Sequence, residues 1–214
     1  MDQEIEIISS ETRKEKIKNF FINNKNKLIS IAIFLLFVLF GFFFYQDYKK
    51  EHKEGLANKY NTAIIEYESG EKSKTINLLK DIIEGKDKTY SPLSFYFLLD
   101  NDLITSKEEI NKYFDILINE IGLDKENKNL TIFKKGLFNS EFVNENELLN
   151  ILNPVIKSES IWKPHALYLM AEYYLAKKEK QKSKEFLEQL VSLENISEKI
   201  KLEAQKRLRS DFSE

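Results

Sequence analysis

Between Leu28 and Tyr45 the chain runs for eighteen residues, LISIAIFLLFVLFGFFFY, without a single charge. Fourteen of these are Leu, Ile, Val or Phe. As a helix rising ~1.5 Å per residue the stretch reaches roughly 27 Å, close to the ~30 Å hydrocarbon layer of a bilayer. A helix buried in a soluble core normally keeps a polar stripe, and this one has none over eighteen residues. The stretch 28–45 therefore predicts a membrane span, and the rest of the chain falls on one side of a membrane or the other. A cleaved signal is not expected. The preceding head is 27 residues long, and FFFYQDYKK follows without a small-x-small site.

The span divides the 214 residues into a tail, 1–27, and a C-terminal part of 169 residues, long enough for one sizeable domain. The net charge is −2, with +1 in the tail and −3 in the rest, which gives no basic face for a nucleic acid. Six Gly and three Pro are few for a β fold with many turns, so an all-α chain is expected. The absence of cysteine excludes disulfides, thiolate metal sites, Cys nucleophiles and a lipid anchor on an N-terminal Cys.

Within the tail, residues 1–11 are acidic and polar and read as disordered. Thr12 and Glu15 then have capping-box spacing. Ile17, Phe20 and Phe21 follow at i, i+3, i+4 among Arg13, Lys14, Lys16 and Lys18, the pattern of a short amphipathic helix entering the headgroup layer. An ordinary basic juxtamembrane segment has the same composition. Residues 13–27 carry six Lys or Arg and residues 46–60 carry four, a bias that favours the N-terminus inside.

After a polar linker, 46–56, the chain becomes periodic. Four segments align on one register, in which a lead residue on a first helix is followed 12, 16 and 19 positions later by residues of a second. The sets are Ala63 with Thr75, Leu79 and Ile82; Leu98 with Ile110, Phe114 and Leu117; Gly136 with Leu148, Leu152 and Val155; and Ala171 with Ser183, Leu187 and Leu190. Their leads lie 35, 38 and 35 residues apart, near the 34-residue period of a tetratricopeptide repeat. A single helix pair cannot bury its apolar face, so pairs with this register are expected to stack. The predicted architecture for 57–214 is a tetratricopeptide-like right-handed solenoid of about four helix pairs. Ile200, Ala204 and Leu208 would supply a C-terminal capping helix. The middle units are degenerate, with Asn101 and Asn139 where such repeats carry Tyr, and ENKNLTIFKKGLF in the third has mixed periodicity. Gly70, Gly85 and Gly122 fall where helices should end.

No catalytic constellation assembles. His52 and His165 are far apart in sequence, each reading as a surface or packing residue. There is no Gly-rich phosphate loop, G-x-S-x-G or H-E-x-x-H, and the carboxylates alternate with lysines as on solvated helix faces. The chain is expected to be no enzyme and to take no cofactor, metal or small-molecule substrate. The aromatics Tyr90, Phe95, Tyr96, Phe97, Tyr113 and Phe114 admit two readings. Tyr90, Phe95, Tyr96 and Tyr113 would line a groove for an extended hydrophobic peptide, or the cluster fills the core, as aromatic stripes at helical spacing usually do.

The order of these parts resembles a known family. A charged tail with KIKNFF, one span, a linker ending KYNTAI and a degenerate repeat domain closing on WKPHALYLMAEYYLAKKEKQKSKEFLEQL and EAQKRL look like the YfgM-type proteins, ancillary subunits of the SecYEG translocon. The resemblance runs from about residue 12 to residue 209. It implies a bacterial inner-membrane protein with a cytoplasmic N-terminus and a periplasmic helical domain. It also implies partners, the SecYEG translocon and a PpiD-type periplasmic chaperone, and a role in passing exported chains to folding factors. No catalytic residues are defined in that family, and none carry over. The alternative is a tetratricopeptide scaffold of another cell-envelope assembly or stress-signalling complex.

Overall fold

A computed structural model describes residues 14–16, 18–194 and 196–212. The expectations for residues 1–11, for the Thr12 cap, for Arg13 and for Ile17 lie outside the described residues. Within them the chain is helical, with no strand. Residues 14–16 and 18–23 are helical, and α1 (Lys25–Glu68), α2 (Lys72–Glu84), α3 (Tyr90–Asp100), α4 (Lys107–Asn119) and α5 (Lys125–Asn139) follow. The remaining elements are α6 (Glu145–Ile156), α7 (Lys163–Ala176), α8 (Lys180–Val191) and α9 (Glu198–Phe212).

The chain divides into two compact units, one ending at Leu56 and one running Ala57–Glu214. In the first, α1 is long and apolar enough to cross a membrane: an 18-residue window has mean hydropathy 2.7, and none of it is buried. Gly41 has open space around it. Residues 46–56, expected as a linker, belong to the same helix as the apolar stretch. Strong helix formers and the exposed i,i+4 pair Lys50–Glu54 favour that conformation.

In the second unit each register set is buried throughout. Ala63, Leu79 and Ile82; Leu98, Phe114 and Leu117; Leu148, Leu152 and Val155; and Leu190 are fully enclosed, and Ile110, Ala171, Ser183 and Leu187 nearly so. Thr75 and Ser183, the two hydroxyls among the trailing positions, each donate to the carbonyl of their own lead residue. Thr75 Oγ1 lies 3.3 Å from the Ala63 oxygen and Ser183 Oγ lies 2.8 Å from that of Ala171. A small polar residue is thus admitted where its hydroxyl meets a carbonyl twelve residues back. At Gly136 the approach is closer still: a Cβ there would sit 2.9 Å from Leu152 Cγ.

From α2 to α9 each helix packs on the next in sequence, and α2 also meets α4 as α5 meets α7. The α7 helix carries apolar residues all round because it is enclosed from several sides. Ala166, Met170, Tyr173 and Tyr174 join Leu148, Leu152 and Val155 in one core cluster. Leu167 and Ala171 join Leu187, Leu190 and Ala204 of α8 and α9 in another. Ile200 and Leu208 pack against that second cluster, so α9 covers the end of it.

The mixed periodicity of the third segment has a specific origin. Asn129, Thr131 and Asn139 occupy buried places on α5 that a pattern search reserves for apolar residues, and each is hydrogen-bonded to a neighbouring element. Tyr96 Oη donates to Thr131 Oγ1 at 3.3 Å, and Asn129 Nδ2 to Ser158 Oγ at 3.4 Å. Asn111 and Asn139 exchange amide bonds of 3.1 and 2.8 Å. Asn101 likewise accepts from Tyr67 Oη at 3.1 Å. The asparagines at the Tyr positions are therefore polar ties between helices.

Local signals set the helix ends. Asp124 accepts from the amides of Glu126 and Asn127, and Asn144 and Glu147 form a reciprocal capping box. Gly70 (φ 90°) and Gly122 (φ 65°) take left-handed turns after α1 and α4. Gly85 does not: it keeps helical angles, and Lys86 takes the left-handed position at φ 56°.

Candidate functional site

A groove of about 830 Å³ opens on the second unit. Phe133 and Leu137 of α5 form one wall, His165, Tyr168 and Leu169 of α7 the floor, and Ile200 of α9 the other wall. Its polar margin is made by Glu172, Ser197, Lys199 and Glu203. The helix period builds the apolar strip: Phe133 and Leu137 are four residues apart, as are His165 and Leu169, so each pair points to one side. Leu137 keeps 52% of its surface exposed, large for a leucine beside a well-packed core.

One end of the groove is built of packed rings. The Phe133 and Trp162 rings stack at 6.0 Å, and His165 lies 5.8 Å from the first and 5.2 Å from the second. Pro164, tolerated in the first turn of α7, sets the start of that helix. The Nδ1 atom of His165 is buried without a hydrogen-bond partner among the described residues. At the other side Arg207 of α9 is paired with Glu172 of α7 at 3.0 Å, tying that wall to the floor. Burial raises the Tyr168 hydroxyl above its ordinary pKa, opposed by Arg207, so the phenol is a neutral hydrogen-bonding group at physiological pH. An apolar strip edged by a few charges can hold a side chain or a short segment of another protein.

The aromatic cluster singled out from the sequence lies elsewhere. Phe95 and Tyr113 are 0% and 2% exposed, and Phe95 meets Phe114 edge-on at 4.8 Å. The expectation that these two line a groove is corrected: they fill the core between α3 and α4, because both sit on the faces those helices turn toward each other. Tyr113 also donates to Glu109 at 3.0 Å, and Lys80 pairs with that carboxylate at 2.6 Å. The lysine contact draws Glu109 below the ordinary carboxylate range, while burial, followed by the Glu109 hydrogen bond, pushes the Tyr113 phenol well up. Tyr96 is half-buried, its ring capped by Lys134 Nζ at 3.6 Å, and burial raises its hydroxyl as well. Tyr90 packs on Tyr60 at 6.0 Å, and Phe97 on Tyr67 at 5.1 Å. These rings join helices.

The histidines are equally separate: His52 stacks on Tyr48 along the exposed side of α1, and His165 belongs to the groove. Among the described residues no group of three or more His, Asp and Glu is placed to hold a metal ion. The groove residues themselves were not legible as a site. One signal in the register marks them in retrospect. Phe133 and Tyr168 stand three residues before a lead position, and Leu137 and Glu172 stand one after it. The chain matches no protein-family model, no curated protein and no solved structure.

Proposed function

We propose that this chain is a non-enzymatic, membrane-anchored scaffold that docks protein partners on its helical domain. In this reading α1 spans the bacterial inner membrane over 28–45 with the N-terminus cytoplasmic. The segment 57–214 is a tetratricopeptide-like right-handed solenoid in the periplasm, and the groove between α5, α7 and α9 receives a segment of an export partner. The partners are the SecYEG translocon and a PpiD-type chaperone, as the resemblance in KIKNFF, the span and the closing repeat implies. The observation that carries the scaffold reading is the groove: an open apolar strip with the exposed Leu137 on its wall, beside a fully packed set of register positions. Repetition of one register over four helix pairs supports the solenoid.

The test is co-purification from inner membranes with a C-terminal tag, together with protease added to intact spheroplasts. SecY and the chaperone are expected to copurify with the wild type and to be lost with Leu137→Glu. That change leaves the core intact because the residue is half exposed. Protection of the domain from protease until lysis would overturn the topology. Failure to retain SecY, or retention undiminished in Leu137→Glu, would overturn the translocon or the groove assignment respectively.

A further inference from the structure

The chain just before the apolar stretch is more cationic than its neighbourhood and fully displayed. Lys14, Lys16, Lys18, Lys25 and Lys27 are all exposed, against the one carboxylate of Glu15. None of the five is ion-paired among the described residues. Phe20, Phe21 and Ile22 stand in their midst, 58%, 57% and 60% exposed. Asn24 joins the two parts of the segment without a break in hydrogen bonding. Its amide bonds to the Phe20 carbonyl at 3.0 Å, and its own carbonyl accepts from Leu28 at 2.9 Å.

The placement of the lysines decides what they suit. At about 100° per residue, Lys18 and Lys25 fall within about 20° of each other on one side of the helix. On the roughly opposite side lies Lys27. Each side also carries an aromatic ring, Phe21 on the first and Phe20 on the second. A protein groove reads one face of a helix, and an in-plane amphipathic helix keeps its charges on one half. A cation on both sides, with apolar groups between, suits a surrounding that meets the helix from every direction.

Height along the axis points the same way. Lys27 and Lys25 lie about 1.5 and 4.5 Å from Leu28 along the helix, inside a headgroup layer of roughly 5–7 Å. Lys18 lies about 15 Å away, beyond the headgroups but within about two Debye lengths of the phosphates. An open cleft lined by Phe21, Ile22, Lys25, Leu28 and Ile29 sets Lys25 beside an apolar edge that continues into the span. That juxtaposition fits a phospholipid, with phosphate at the cation and acyl chain along Leu28 and Ile29.

We propose that residues 18–29 form a collar that binds the phosphates of anionic phospholipids and enriches those lipids around α1. The inference rests on α1 being a membrane span. The chain selects its lipid surroundings chiefly through Lys25 and Lys27, with Lys18 adding a longer-range, salt-sensitive attraction.

The test is spin-label resonance on the full chain in phosphatidylcholine vesicles, with the probe on phosphatidylglycerol or on phosphatidylcholine. A lysine held at an anionic surface is worth about fivefold in binding. A several-fold preference for phosphatidylglycerol is expected in the wild type. It should fall to near parity in the double variant Lys25→Gln/Lys27→Gln and be kept in Lys25→Arg/Lys27→Arg. The single variant Lys18→Gln should lose less. Equal association of the two lipids with the wild type, or an equal loss in the Gln and Arg doubles, overturns the collar. Alkaline carbonate separates the premise: a chain that carbonate extracts is no span, whereas a retained chain without lipid preference defeats the collar alone.

Discussion

Replacing Gly136 by alanine tests the close approach of α5 to α6, because the two effects of the change have opposite signs. Gly136 is in the interior of α5, where Ala is better than Gly by ~1 kcal/mol on helix propensity alone. Were that side of α5 loosely packed, the variant would be more stable. The added Cβ instead lands 2.9 Å from Leu152 Cγ and nearer still to one of its methyls. A methyl can turn away about χ2, but Cγ moves only with χ1 or with the backbone. Leu152 has no exposed surface and is enclosed with Leu148, Val155 and Met170, so neither motion has room. Overpacking of this kind costs about 2 kcal/mol, which leaves a net loss of about 1 kcal/mol. At a urea slope of roughly 2 kcal/mol/M the midpoint falls by about 0.5 M. The assay is urea unfolding of the full chain in detergent, followed by the fluorescence of Trp162. That residue is the single tryptophan and packs against Phe133, so it reports the second unit. Adding Gly136→Ala to a Leu152→Ala background should cost less than in the wild type, because the cavity accepts the methyl. A midpoint equal to or above the wild type for Gly136→Ala alone would refute the packing of α5 on α6.

Two further outcomes follow from the same packing. Ser183→Ala removes the hydroxyl bonded to the Ala171 carbonyl, a loss of about 1 kcal/mol less a few tenths regained in helix propensity; a urea midpoint unchanged from the wild type would count against that bond. Tyr113 gives a pH dependence. Its phenol is pushed above the usual value, so the folded state holds that proton more tightly than the unfolded one. The associated stability is fully present below about pH 10, the unfolded value, and is lost as pH rises beyond it toward the folded value. The difference in stability between the wild type and Tyr113→Phe should therefore be constant from pH 7 to 9. Above pH 10 it should shift against the wild type by up to about 1.4 kcal/mol per unit. Parallel curves through pH 11 would show that the phenol is not held neutral by the fold.

The membrane-length helix and the buried register could be read from the chain because both depend on near-neighbour periodicity. An uninterrupted apolar run leaves a helix no aqueous face, and offsets of four and three residues keep one side of a helix apolar whatever it packs against. Even the exceptions obey the rule, since Ser183 satisfies its hydroxyl on the lead residue twelve positions back and Thr75 shares its own between that residue and the Glu71 carbonyl. The third segment was ambiguous for an equally physical reason. Asn129, Thr131 and Asn139 are buried polar residues whose partners, Ser158, Tyr96 and Asn111, lie far away in sequence.

What only the tertiary structure decided is which side chains remain outside the core. Sequence placed Phe95 and Tyr113 among candidates for a surface groove, and the mutual approach of α3 and α4 enclosed them. It passed over Phe133, Leu137 and Tyr168 and read Ile200 only as a cap residue, and the arrangement of α5, α7 and α9 leaves all four lining an open strip. Apolar periodicity says that a face will be covered. Whether the cover is another helix of the same chain or a partner depends on how several helices meet, and that geometry is set by contacts between residues distant in sequence.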